Sequence, residues 1–274
     1  MSDTLICNTK TKAGIFSRFF HQGLCSLLGN EDVEKYENII FREEDDYDKI
    51  FDSNLKGYEI KIKRKSGFIP YLFNDKDKKN KLNQLVNKLK FKQSFLDKIN
   101  KIEKKYITGK NILGVHLRLS DLNTTHMGIP NFTWEDYRKA IDNALKSDTT
   151  IDQIFFAVDN VVSLERIKKH YPKLVSYIPD LIFRDCDEHI ETWEQVSWPL
   201  ITKDKKTRNK YGELSEKQRK LYEKYELKDV FLEAFCEMWC LSKTHRLINR
   251  ASALSNCSIA FSTTIQDVNC LGEK

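Results

Sequence analysis

The stretch Asn111-Ile112-Leu113-Gly114-Val115-His116-Leu117-Arg118-Leu119-Ser120-Asp121 decides how the chain is read. Its apolar half, Ile112 to Val115, runs straight into His, Arg and Asp. A run this short and apolar suits a strand buried on both faces of a parallel sheet. Side chains alternate along a strand. His116, Arg118 and Ser120 therefore fall on one side, with Leu117 and Leu119 on the other. Ligands of open α/β sheets bind in the crevice outside the carboxyl ends of the strands. An imidazole and a guanidinium can thus face one cleft. Plain pairing of an Arg with an Asp at a strand end would leave the same trace, and spacing alone does not separate the two readings.

On the C-terminal side, strand and helix alternate. Thr133-x-x-Asp136 is a capping box that opens a helix running through Lys146. Ile151 to Val158 is a second apolar strand and ends in Asp159-Asn160. Leu164 to Tyr171 is helical, Pro172 stops it, and Leu174 to Ile178 is a further strand. This is the doubly wound α/β pattern, and Asp121 and Asp159-Asn160 fall where that fold binds ligands. Phe231, Phe235, Met238 and Leu241 recur at helical spacing, and His245 reads as a cap on that helix's C-terminus. Leu247-Ile248-Asn249 is a short strand, and Ala253, Leu254, Cys257, Ala260 and Phe261 return to period 3.6. Ser252 is then the N-cap. Arg250, Ser252 and a helix N-terminus together could build an anion site from guanidinium, hydroxyl and amides. Capping alone would also account for Ser252.

The first third repeats the pattern more weakly. Leu5-Ile6-Cys7 is a short strand, followed by Ala13-Gly14 and a helix with Phe16, Phe19, Phe20, Leu24, Leu27 and Leu28 on one face, stopped at Gly29. Amides of the Gly14 turn could meet an anionic or sugar ligand; a plain turn into a helix is the simpler reading. Asn38 to Phe41 and Tyr58 to Lys63 read as strands. Asp75 to Lys105 reads as two amphipathic helices with a cationic outer face, which is a solvated surface before it is a nucleic-acid groove. Ile107 to Lys110 looks like a linker. The expected organisation is an N-terminal α/β lobe over 1–108 and a C-terminal lobe over 109–274, with a charged insertion at 202–226.

Composition bounds the class. With 40% hydrophobic residues in 274, the chain can bury a sizeable core. A net charge of +6 suits an anionic partner without choosing among nucleotide, nucleic acid or membrane surface. The seven cysteines include no CxxC, and Cys236 and Cys240 share a helix face before they make a zinc half-site. Buried thiols in a reducing compartment are the economical reading. The best candidate span, Ile15 to Leu28, is short and broken by Arg18, His21 and Gln22, and no leader pattern is visible. The expectation is a cytoplasmic protein with no membrane span.

Three stretches in order carry a family resemblance. His116-x-Arg118-x-x-Asp121 resembles the HxRxxD motif of the GDP-fucose-dependent fucosyltransferases, the α1,6 and nodulation-factor enzymes above all. Ile154 to Asn160, running on to Tyr171-Pro172, is similar to that family's second motif. Glu237 to Ser242, followed by Leu247-Ile248 and Ser252, is similar to its third. The Gly14 turn resembles the family's opening βα turn more loosely. The resemblance implies a GT-B-like fold of two Rossmann-like lobes, the C-terminal one binding the sugar nucleotide. It implies GDP-fucose as donor and a glycan hydroxyl as acceptor; no nucleic-acid partner is expected, since the chain shows no zinc-finger, RNA-recognition or helix-turn-helix signature. Arg118 would hold the donor's β-phosphate, His116 and Asp121 would shape the nucleotide site, and Asp159 would lie near the donor. Ser252 matches the family's phosphate-contacting serines. Glu237 stands where the family has Asp, and Asn160 replaces a second acid. Leu119 replaces the second Arg of the α1,6 enzymes, a cation that Arg250 could supply from the opposite wall. His126 falls where those enzymes place the glutamate proposed as catalytic base.

Glycosyl transfer from a nucleotide diphosphate must neutralise the departing diphosphate and deprotonate the acceptor. Asp185-Cys186-Asp187 is a literal DxD, the pattern that carries a divalent ion in GT-A enzymes, but nothing around it matches that context. Fixed cations suit this chain instead: Arg118, with Arg250 and a helix N-terminus. No metal or other cofactor is expected. His126, a loop imidazole titrating near neutral pH, is the candidate base.

Overall fold

The computed structural model of the chain describes residues 3–8, 17–28, 31–42, 47, 50–52, 54–61, 72–119, 132–158, 161–179, 230–250 and 252–271. Two stretches from the sequence reading, the DxD at 185–187 and the insertion at 202–226, lie outside these residues. In chain order the first elements are β1 (Thr4–Asn8) and a wide π-type helix Ser17–Leu24 that continues over Cys25–Leu27, together α1. Next come β2 (Asn38–Arg42), β3 (Tyr58–Lys61), α2 (Lys76–Asn87) and α3 (Gln93–Tyr106). Then follow β4 (Ile112–Leu117), α4 (Trp134–Ser147), β5 (Gln153–Val158), α5 (Val161–His170) and β6 (Val175–Ser176). The last are α6 (Val230–Ser242), β7 (Arg246–Arg250), α7 (Ala253–Phe261) and β8 (Asp267–Leu271).

These elements divide into two compact units, Met1–Lys105 with Ala251–Thr263, and Tyr106–Arg250 with Thr264–Lys274. The sequence reading drew one boundary, at 108/109. The division instead falls just before the 107–110 stretch, and α7 is counted with the first unit.

The first unit holds a three-stranded parallel sheet in the order β2-β1-β3. Its core is aromatic. Phe19 meets Phe41 edge-on at 5.3 Å and Phe261 at 6.2 Å, and Phe51 stacks on Phe91 at 5.4 Å. Phe261 belongs to α7, which also packs on α2, where the Asn83 side chain donates to the Ala260 carbonyl at 3.1 Å. These contacts explain why α7 joins this unit.

The second unit holds a five-stranded parallel sheet in the order β6-β5-β4-β7-β8. Every residue of β4 and β5 is buried, as expected of strands covered on both faces. On one face Leu113, Val115, Leu117 and Leu119 pack with Ile248, with Tyr137 and Ile141 of α4, and with Leu164 and Ile167 of α5. On the other lies α6, whose Leu241 sits over Gly114. A Cβ at 114 would meet Thr244 Oγ1 at 2.6 Å, so the glycine is what lets the end of α6 sit down on β4. β8 was not foreseen. It is an edge strand of mixed polarity, DVNCL, whose burial does not alternate cleanly.

The amino edge of this sheet is closed by side chains that satisfy backbone. Gln153 Oε1 accepts from the amides of Thr108 (3.0 Å) and Gly109 (2.8 Å), and its Nε2 donates to the Tyr106 carbonyl at 2.8 Å. Asp152 accepts from the amides of Lys110 and Asn111. The expected linker is therefore pinned to the start of β5. His245 does not cap α6, whose last carbonyls are already met by the hydroxyls of Ser242 and Thr244. Instead its amide donates to the Ile112 carbonyl and its Nδ1 accepts from the Ile112 amide, which extends the β4–β7 ladder.

Candidate functional site

The strand order fixes where a ligand can enter the second unit. The chain moves outward from β4 through β5 to β6, then returns to the other side of β4 for β7 and β8. The order therefore reverses between β4 and β7. In open α/β sheets the crevice for ligands lies outside the carboxyl ends of the strands at such a reversal. The two strand ends there are His116-Leu117-Arg118 and Asn249-Arg250.

The predicted alternation is present. Leu117 and Leu119 are both buried in the cluster beneath α4, which turns His116 and Arg118 to the face that α6 covers. His116 is buried, and Arg118, one residue beyond the strand, is half-buried. A half-buried guanidinium at a strand tip is suited to a phosphate: it is always charged, its planar fork can bind two oxygens, and partial burial strengthens both bonds. Glu237 lies on α6 and is half-buried, one turn before the Leu241 that packs on Gly114.

Arg250 takes a different direction. It shares strand parity with Ile248, which lies in the α4-side cluster, and its guanidinium carbon sits 5.8 Å from the Phe132 ring. Only 3% of Arg250 is exposed. Arg118 and Arg250 thus leave the sheet on opposite faces. Ser252 is the N-cap of α7, accepting from the Ser255 amide at 3.1 Å, with the two hydroxyls 3.0 Å apart. The plain capping role is realised; the Thr133–Asp136 capping box at the start of α4 is likewise complete. Gly14, Asp121, His126, Asp159 and Asn160 lie outside the described residues. Among the described residues no three His, Cys, Asp or Glu side chains gather as a metal ion requires.

One residue at this edge escaped the sequence reading. Asn249 is 2% exposed and sits beside His116 on the face that α6 covers, because the β4–β7 register pairs Val115 with Ile248 one step earlier. Its Oδ1 accepts from Cys270 Sγ at 3.5 Å, while its Nδ2 meets no acceptor among the described residues. An Asn within a Leu-Ile-Asn-Arg strand was the available signal, a buried amide at the carboxyl end of a strand.

No family model matches the sequence, and no curated protein is detectably similar to it. Some solved structures are similar to it. A variant of Arabidopsis thaliana FUT1 in complex with GDP superposes with a TM-score of 0.53, covering 98% of this chain and 70% of that one at 9% identity. NodZ alpha-1,6-fucosyltransferase co-crystallized with GDP gives 0.49, over 94% of this chain and 92% of that one at 11% identity. POFUT1 in complex with GDP-fucose gives 0.41, over 98% and 74% at 8% identity. The chain has an α/β fold of the fucosyltransferase-like GT-B type, as the FUT1 superposition shows.

Proposed function

We propose that this protein is a glycosyltransferase that moves fucose from GDP-fucose to a hydroxyl of a glycan acceptor, with inversion and without a metal ion. The observation that carries the reading is the tip of β4. A buried imidazole and a half-buried guanidinium stand at the reversal point of a parallel sheet, in a fold shared with a GDP-bound transferase.

Arg118 neutralises charge on the departing diphosphate, the role that a cation from solution fills elsewhere. His116 and Asp121 shape the nucleotide site, Asp159, Asn160 and Glu237 line the donor, and the Gly14 turn serves the acceptor side. Ser252 offers its hydroxyl and the first amides of α7 to phosphate. Arg250, whose guanidinium also lies over Phe132, supplies a second cation to the donor phosphates. His126 takes the acceptor proton. The work is done in the cytoplasm. The six described cysteines are buried thiols, and burial pushes Cys7 and Cys25 up to about 12, which suits a reducing compartment. No helix among the described residues is long and apolar enough to cross a membrane.

The test is a donor screen by thermal shift with GDP, GDP-fucose and UDP-linked sugars, followed by transfer to glycan acceptors. Stabilisation by GDP and GDP-fucose with transfer unaffected by EDTA is expected. A response to UDP sugars alone would keep the fold and change the donor. Inhibition by EDTA that Mn²⁺ restores would favour the DxD at 185–187. His126→Ala is expected to cut turnover at unchanged donor affinity; if both stay at wild type, another base operates.

A further inference from the structure

The second unit carries an open cavity of about 220 Å³ away from the strand tips. Its floor is the amino half of β7 and β8, where Arg246 and Ile248 share rows with Asp267 and Asn269. Its wall is α4, which presents Ala140, Asn143, Ala144 and Ser147 at helical spacing. Ile248 belongs to the cluster beneath α4, so the cavity opens on the face opposite to that of His116 and Arg118. Edge and face both separate it from the proposed donor site. The lining selects a class of ligand. Arg246, its one cation, is already paired with Asp148 at 3.0 Å and donates to the Ser147 hydroxyl at 3.5 Å. Asp267 adds a carboxylate, so no net positive charge is left to draw a phosphate. Asn143, Asp267 and Asn269 are exposed, and their side chains meet no partner among the described residues. Each amide both donates and accepts, and the carboxylate accepts from two hydroxyls at once. Between them Ala140, Ala144 and Ile248 offer apolar surface. A few placed polar groups over an apolar floor are what small-molecule sites are made of. The volume lies below the roughly 300 Å³ at which sites for drug-sized ligands begin, which suits a single ring.

We infer that this cavity is a carbohydrate subsite that holds one neutral pyranose ring of a glycan on the α4 face of the second unit. The amides of Asn143 and Asn269 and the carboxylate of Asp267 take the hydroxyls of the ring. The apolar strip between them takes its C–H face. The site tethers a glycan while transfer takes place at the carboxyl edge. The choice of a sugar rests on the glycan-acceptor reading, and the site itself is a property of the ligand-free protein.

Saturation-transfer difference NMR tests it, with the full-length chain and the methyl glycosides of fucose, galactose, glucose and N-acetylglucosamine, each without and with excess GDP. At least one glycoside is expected to give a signal that GDP leaves in place. Its Kd should be about 1 mM, which is what about a dozen non-hydrogen atoms supply at ordinary ligand efficiency. Ala144→Leu fills the cavity and should abolish the signal. Asn269→Ala, at an exposed position of the edge strand, should weaken binding roughly fivefold, the effect of one lost hydrogen bond. It decides the matter if Ala144→Leu does not fold. No signal from any glycoside, a signal that GDP removes, or one unchanged in whichever variants fold would overturn the proposal. So would binding of an alkylammonium ion in place of the glycosides. GDP binding with no glycoside signal would sink this site and leave the donor reading standing. A variant-sensitive glycoside signal in a protein that ignores GDP would do the reverse.

Discussion

The two edges of the second sheet treat polar side chains in opposite ways. At the amino edge they close the fold, most of them by meeting backbone groups. Gln153 ties down Tyr106, Thr108 and Gly109, Asp152 holds Lys110 and Asn111, and His245 joins Ile112. Asp148 binds Thr150 and Asn111 and pairs with Arg246 at 3.0 Å. At the carboxyl edge polar side chains of β4 and β7 are buried at the strand tips themselves, and Asn249 keeps a donor with no acceptor among the described residues. Both edges break apolar runs with polar residues. One edge uses them to close the fold, and the other places them where such folds take ligands. A polar residue in an apolar strand therefore says little until it is known which end of the strand it occupies.

This contrast is broken most directly at Arg118. Arg118→Ala should cut transfer by about 10²–10³ while leaving the melting temperature near that of wild type. A large fall in stability with donor binding intact would move Arg118 into the structural class. The reverse is expected of Gly114→Ala, which drives a methyl toward Thr244 Oγ1 and should destabilise by about 1–3 kcal/mol without changing the donor. Gln153→Leu removes the acceptor of the Thr108 and Gly109 amides and leaves the Tyr106 carbonyl to Ser176 alone. It should cost about 1 kcal/mol in denaturant unfolding, again with nucleotide affinity unchanged. The smallest effect concerns pH. Hydrogen bonds from Thr150 and then Asn111 hold the Asp148 carboxyl down at about 2. Its contribution is complete above the ordinary carboxylate value of about 3.9 and is lost as pH falls through that value toward 2. Asp148→Asn should flatten the stability profile in that window alone, as followed by circular dichroism melts.

Much of this frame was legible in the chain. β4 and β5 announced themselves as apolar runs, and the Thr133 capping box and the Ser252 N-cap follow from residue types at fixed offsets. The alternation at Leu117 and Leu119 is enough to put His116 and Arg118 on one face. What escaped was set by tertiary partners. β8 is a mixed-polarity edge strand with no clean period to read. His245 follows a helix and looks like its cap, yet the end of that helix is satisfied from within, which frees the imidazole for Ile112. Arg250 stands two residues before the α7 cap, and adjacency in sequence suggested one anion site. Strand parity, which adjacency does not show, puts its guanidinium over Phe132 on the α4 side. Asn249 carries no sequence motif, and only the register with β4 and β8 gives it meaning.

On the proposed function, the carboxyl edge binds a guanosine diphosphate sugar through Arg118. Calorimetric titration of GDP into wild type and Arg118→Ala, both checked for folding, tests it. Saturable binding by wild type that falls by at least tenfold in the variant is the predicted result. Equal affinity in the two proteins, or no binding by either, would contradict it.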